Sequence, residues 1–168
     1  FRESYAFNKR LGGGVIKTCS HEIDMSVMFN GSAKRVFALE LQKKLGETVE
    51  EAVIINIEHK NGNLSRIHLD FGSKIFQRYF KIYSENTEIN WFFRKNFVII
   101  KKFNKKSKRI KKVLKSNVND IYIKQNKLVL ENILKGKKNP LIREILQSEE
   151  IIHAALKSIS LKKTIYLN

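Results

Sequence analysis

The sequence predicts an α+β protein: an antiparallel sheet of two β-hairpins with a covering helix, followed by a basic C-terminal helical region. Three observations carry this. Apolar residues alternate along His21–Phe29 and again along 36–42, and the pairs Val53, Ile55, Ile57 and Ile67, Leu69, Phe71 flank Asn61-Gly62. Ile75, Phe76, Tyr79, Ile82 and Tyr83 then recur at helical spacing. Past residue 100 the chain turns strongly basic and ends in a second helical stripe.

Along the chain, Arg2 to Leu11 suits a short helix, which Gly12, Gly13 and Gly14 break; without the spacing or the following Lys-Ser/Thr of a phosphate-binding loop, the triplet reads as flexible. In the first hairpin Ile23, Met25, Val27 and Phe29 share one face, and Phe37, Leu39 and Leu41 share one face of the return strand. A two-residue turn at Asn30-Gly31 mixes these faces. A five-residue loop matches them and sets Asp24 opposite Glu40, while a three-residue loop sets Glu22 there. The second hairpin aligns its apolar sets over a three-residue connection, with Gly62 suited to a left-handed position. The helix over 75–83 covers this sheet. Residues 91–103 read as one strand, or as a strand pair broken near Lys95-Asn96. Asn139-Pro140 opens a helix to about Ile159, with a shorter helix near 127–134 before it. The domain reading is an α+β core over 1–100, then a basic segment and helical hairpin over 101–168.

At 168 residues and 42% hydrophobic composition the chain has enough apolar surface for a real core. Its net charge is +17, and the excess is segregated: residues 1–88 carry 13 Lys/Arg against 11 Asp/Glu, residues 89–168 carry 20 against 5. Segregated charge implies an anionic partner. A single cysteine, Cys19, excludes an internal disulfide and a Cys-rich zinc site, and fits a reducing compartment. No apolar run reaches a membrane span.

Between Ile89 and Asn119 there is no acidic residue, and Arg94, Lys95, Lys101, Lys102, Lys105, Lys106, Lys108, Arg109, Lys111, Lys112 and Lys115 are the expected nucleic-acid contacts. Cations placed at phosphates release counterions and give salt-dependent, sequence-independent affinity. Trp91, Phe92, Phe93, Phe97 and Phe103 interleave with them as stacking surfaces. Ile110, Val113 and Leu114 suggest that the segment is a docked helix. Lysine outnumbers arginine, which favours backbone contact over base reading.

The stretch from His21 to Lys44 also resembles the catalytic hairpin of the restriction-endonuclease-like nucleases, in which an Asp strand precedes a strand ending in Glu-x-Lys. The resemblance implies that Asp24 and Glu40 hold Mg²⁺, that Gln42 stands at the position usually Lys, and that Glu3 is the acid of the N-terminal helix. It covers about a seventh of the chain. Among the other histidines, His59 and His68 lie on opposite arms of the second hairpin without facing each other, and His153 lies beside the C-terminal stripe.

The expected function is a structural RNA-binding component of a ribonucleoprotein particle, a ribosomal or mitochondrial-ribosomal protein with no cofactor. The alternative is a Mg-dependent endonuclease acting on DNA. The expected partners are nucleic acid, RNA ahead of DNA, and other proteins of a large assembly, with no membrane. The expected location is a reducing interior, mitochondrial matrix or cytoplasm.

Overall fold

Residues 20–30 decide the architecture. The structure, a computed structural model, describes residues 4–41, 49–103, 108–114, 118–136 and 142–167, and in it the first expected strand is a helix. α1 (Val15–Thr18) leads through Cys19 into α2 (Ser20–Asn30). Ile23 and Val27 stand four apart and are both buried, with Ser26 between them. Burying such side chains is worth about 1.5–3 kcal/mol each, which outweighs the few tenths per residue by which intrinsic preference opposes a helix. The alternation misled because Phe29, counted on the inward face, is left 43% exposed and Met25 only half-buried. Gly31, at φ 75°, ends the helix and returns its N–H to the Val27 carbonyl at 2.7 Å.

The expected first hairpin therefore does not exist, and β1 (Ala33–Glu40) starts where the helix stops. Its core face is also the reverse of the expected one. Val36 and Ala38 are buried, whereas Leu39 and Leu41 are exposed. β2 (Ala52–His59) and β3 (Leu64–Asp70) do align their apolar sets, with Ile55 opposite Ile67 and Val53 opposite Leu69. Their connection is residues 60–63, one longer than expected, with Gly62 at φ 86°.

The first unit comprises residues 1–73 and 139–168. Its sheet has the order β3-β2-β1-β8, every pair antiparallel, with β8 (Ile165–Tyr166) adding to Arg35 and Val36. α4 (Ile142–Leu161) packs on the sheet beside α2. Its Ile151, Ile152, Ala154 and Ala155 meet Val36, Val53, Ile55 and Ile57 in one core. Ser158 joins helix to strand, accepting from Ala38 N–H at 3.0 Å and donating to the Lys163 carbonyl at 2.6 Å. On the outer face Glu58 is paired with Lys34 at 3.0 Å and with Arg35, and these two cations, Lys34 first, hold its carboxyl below the usual range.

His59 is fully buried and ties three elements together. Its Nδ1 lies 2.8 Å from the Gly31 carbonyl, which only accepts, so Nδ1 carries the proton. Its Nε2 accepts from Ser65 Oγ at 2.8 Å and lies 3.3 Å from Ser26 Oγ. His59→Leu keeps the volume but removes the ring from all three partners, of which Ser65 Oγ keeps its bond from Asn30 Nδ2 at 3.1 Å. The expected loss is about 2 kcal/mol, read as a lower urea midpoint at unchanged slope; an unchanged midpoint would show that the network adds no stability.

The second unit comprises residues 74–138. It is a meander of β4 (Tyr79–Ser84), β5 (Thr87–Phe92), β6 (Phe97–Lys102) and β7 (Lys108–Val113), with α3 at Val118–Leu134. The covering helix expected over 75–83 is in fact β4. Cross-strand aromatic pairs favour the strand: Tyr79 on Phe92 at 6.3 Å and Phe80 on Trp91 at 5.2 Å between ring centroids. The basic segment expected as a docked helix supplies the end of β6 and the edge strand β7, all of whose residues are exposed. Lysines on an edge strand oppose further strand pairing. The architecture is thus α+β with two four-stranded antiparallel sheets, not one two-hairpin sheet followed by helices. Residue 100, where the composition shifts, falls inside β6.

Candidate functional site

The glycine triplet expected as a flexible break is a packed turn. Gly12, at φ 80°, closes a short 3₁₀ turn over Lys9–Leu11. At Gly13 a Cβ would meet the Tyr5 and Ala6 carbonyl oxygens at 2.4 and 2.5 Å. At Gly14, φ 120°, it would meet the Glu50 carboxylate at 2.2 Å. Glu50 occupies that space to serve α1: its carbonyl accepts from Val15 N–H at 3.0 Å and its Oε1 from Ile16 N–H at 3.3 Å. Val15 and Ile16 are fully buried, so the start of α1 is pinned from both sides.

Burial pushes the Glu50 carboxyl above the usual range, with the Glu40 charge acting the same way and the backbone amides and Lys17 opposing. A raised carboxyl binds its proton more tightly in the folded chain than in the unfolded one. Its contribution to stability is present below the unfolded pKa and is lost as pH rises through the folded value. Glu50→Gln is expected to flatten that decline and to exceed the parent in urea midpoint above it. Midpoints measured from acid to neutral pH check this; parallel curves for the two proteins would refute it.

Pinning α1 also fixes its junction with α2. At Cys19, φ −107° and ψ 35°, the chain leaves helical geometry for one residue before α2 begins. Thr18, Cys19, His21 and Glu22 gather at this junction. The His21 side chain is 49% exposed, and its Nε2 lies 2.9 Å from Glu22 Oε2. The Thr18 hydroxyl is buried and has no hydrogen-bond partner among the described residues, which costs about 1–3 kcal/mol unless something arrives to pair with it. An accessible imidazole with a carboxylate next to it in the chain is equipped to move a proton on a polar molecule that reaches it.

The site residues expected from sequence are scattered. Asp24 is exposed on α2 and Glu40 lies at the end of β1, which pairs with β2 and β8. No hairpin joins them, and no cluster of three or more His, Cys, Asp or Glu able to hold a metal occurs among the described residues. Glu3 and Gln42 lie outside the described residues, as do Lys105, Lys106 and Lys115. Arg94 and Lys95 sit in the turn between β5 and β6, and Arg94 stacks over Phe76 at 5.2 Å. Lys101 and Lys102 end β6, with Lys101 held 2.8 Å from Glu88. Lys108, Arg109, Lys111 and Lys112 lie along β7, Lys111 over the Phe97 ring at 4.5 Å. His21, Thr18 and Glu50 were not singled out from sequence. The one available signal was the glycine triplet, whose close backbone approach looks the same in sequence as flexibility.

Comparison with solved structures shows what this architecture resembles. Levoglucosan dehydrogenase without ligand matches 98% of the chain with a TM-score of 0.86 at 15% identity. The chain has the fold of half an oxidoreductase. It covers 54% of that protein, and 53% of the same enzyme in complex with NADH and levoglucosan, where the TM-score is 0.84 and the identity 14%. An NAD-binding oxidoreductase from Klebsiella pneumoniae matches 98% of the chain and 54% of its own length, with a TM-score of 0.79 at 12% identity. No family model and no curated protein matches the sequence.

This likeness overturns the expected fold, and with it the ribonucleoprotein and endonuclease readings, the RNA, DNA and assembly partners, and the expectation of no cofactor or Mg. Charge misled because a basic edge strand and a phosphate-binding surface have the same composition. Among the described residues no helix is long and apolar enough to cross a bilayer.

A nicotinamide dinucleotide does not fit the described residues. Dinucleotide folds seat the pyrophosphate at a glycine turn between a strand of a parallel sheet and the following helix. Every strand pair described here is antiparallel. The Gly13 and Gly14 space is already filled by carbonyl oxygens and by a carboxylate, which repel phosphate.

Proposed function

We propose that this chain is the substrate-side portion of a nicotinamide-dependent oxidoreductase acting on a small polyhydroxylated molecule, with the dinucleotide held by a portion outside the described residues. The observation that carries the reading is the all-antiparallel architecture matching about half of such enzymes. It supplies the half that a parallel dinucleotide-binding sheet does not. The junction of α1 and α2 supports it chemically. Interconverting an alcohol and a carbonyl requires a group that takes or returns the hydroxyl proton. His21 is the accessible imidazole with a carboxylate at 2.9 Å to balance the charge it acquires. The Thr18 hydroxyl, unpaired among the described residues, is closed to solvent and would pair with a second substrate oxygen only once uncovered.

His153 is the competing histidine. It lies on α4 in an open groove with Glu149, Glu150, Lys157 and Tyr166, without a buried unsatisfied group aimed at a ligand. The favoured site is therefore the one at His21.

Saturation-transfer NMR on this chain with levoglucosan, L-sorbose and related polyols tests the assignment, since two similar structures are levoglucosan dehydrogenase bound to these sugars. Transfer to at least one polyol is expected, reduced in Thr18→Val and unchanged in His153→Ala. Transfer that survives Thr18→Val and disappears in His153→Ala would move the site to α4. Absence of any polyol signal, together with tight binding of NADH to the chain alone, would end the proposal.

A further inference from the structure

The second unit carries a surface that catalysis does not explain. Strand register places Ile82, Ile89, Ile100 and Ile110 in one row across all four strands, and Phe80, Trp91 and Val98 in the row beside it. Residues of one such alternating set share a face of a sheet. None of the seven belongs to a buried core cluster of the described residues; each is half-buried or exposed. The polar members of the same face are Ser84, Thr87, Lys102, Lys108 and Lys112. With Arg78, which pairs with Phe93 just before β4 and stands 5.9 Å from the centre of the Trp91 ring, this face has four cations and no carboxylate among its strand residues. Glu88 lies on the opposite face, paired with Lys101 at 2.8 Å.

Residues 74–138 hold 19 Lys/Arg against 4 Asp/Glu, so this unit accounts for +15 of the net +17. An apolar face of this size is rarely left bare. A second copy of the chain would bring three more lysines and no carboxylate to the contact, and two units of +15 repel. An anionic bilayer meets both features at once. Its surface attracts the lysine rim, and its headgroup boundary accepts isoleucine, phenylalanine and above all tryptophan. The absence of a spanning helix among the described residues makes the contact interfacial.

We propose that this face of the β4–β7 sheet docks on an anionic lipid surface, Trp91 and the isoleucine row entering the headgroup boundary while Lys102, Lys108 and Lys112 engage lipid phosphates and carboxylates. The proposal is independent of the oxidoreductase reading.

Trp91 is the sole tryptophan of the chain, so its emission reports on this face alone. The experiment titrates the full chain with vesicles of phosphatidylcholine, with or without phosphatidylserine, and follows Trp91 emission and co-sedimentation. A blue shift and pelleting are expected with phosphatidylserine only, weakening as salt rises. Replacing all three lysines by glutamine is expected to cut affinity roughly 100-fold, since each cation near an anionic surface contributes about 5-fold. These positions are exposed, so the variant keeps its fold, which circular dichroism verifies. No emission change with phosphatidylserine would overturn the proposal. So would undiminished binding of the triple variant. A blue shift that tracks protein concentration without lipid, with a dimer in sedimentation, would assign the face to a second copy instead.

Discussion

Gly13→Ala is expected to destabilise the first unit by about 3 kcal/mol or more, at or beyond the upper end of what overpacking a core costs. The reason lies in what the new methyl meets. The Tyr5 and Ala6 carbonyl oxygens and the Ala6 carbonyl carbon would stand 2.4, 2.5 and 2.7 Å from the added Cβ. All three are backbone atoms, so no rotamer change relieves the clash. Those carbonyls are themselves engaged: Asn8 N–H bonds to Tyr5 O at 2.9 Å and Gly14 N–H to Ala6 O at 2.8 Å. Moving them breaks the turn that pins α1 and displaces Val15 and Ile16 from the core. Gly62→Ala is the control for loss of a glycine at a left-handed position, because its Cβ meets nothing within 4 Å; it is expected to cost about 1 kcal/mol. Denaturant midpoints of the two variants decide the matter. Equal losses would mean that the close approach at Gly13 is relieved cheaply.

The second large effect concerns chemistry. If His21 moves the substrate proton, His21→Ala is expected to lower kcat by about 10² to 10⁴, the usual contribution of a positioned acid–base group. KM should change little, because a proton-transfer role acts on the transition state more than on substrate binding. The measurement is nicotinamide reduction with a polyol that gave an NMR signal, made in the protein together with the dinucleotide-binding portion the proposal requires. Exogenous imidazole should restore part of the lost rate in His21→Ala, which a merely structural role would not allow. An unchanged kcat, or a loss confined to KM, would remove His21 from the chemistry. Glu22→Gln should fall between the parent and His21→Ala, because the carboxylate balances the ring rather than touching substrate.

Where the sequence misled, the reason was a physical degeneracy. Ile23, Met25, Val27 and Phe29 satisfy strand alternation, yet Ile23 and Val27 also sit four apart, and burial against α4 rather than local pattern chose the helix. Ile75 to Tyr83 satisfied helical spacing and became β4, because Tyr79 and Phe80 found aromatic partners on β5. The basic stretch became an edge strand, a role that lysine suits as well as it suits phosphate contact. The junction at Thr18, Cys19 and His21 was out of reach because the start of α1 is held by Glu50, 34 residues from Ile16 in the chain, closing over Gly14.

What the sequence determined by itself was local or compositional: the aligned apolar sets of β2 and β3, the apolar stripe of the last helix, and the crowding of positive charge into one stretch, while the turn near Lys95-Asn96 was one of two readings it left open. These come from the period of side chains along a strand or helix and from counting charges, neither of which needs a partner in space. Only the tertiary structure decided that residues 20–30 are helical, which face of β1 is inward, that the glycine triplet is packed, and that the cations line a sheet whose isoleucine row is largely half-buried. Each of those depends on which distant residue fills a given volume, and the energy of filling it exceeds the local preferences that a sequence displays.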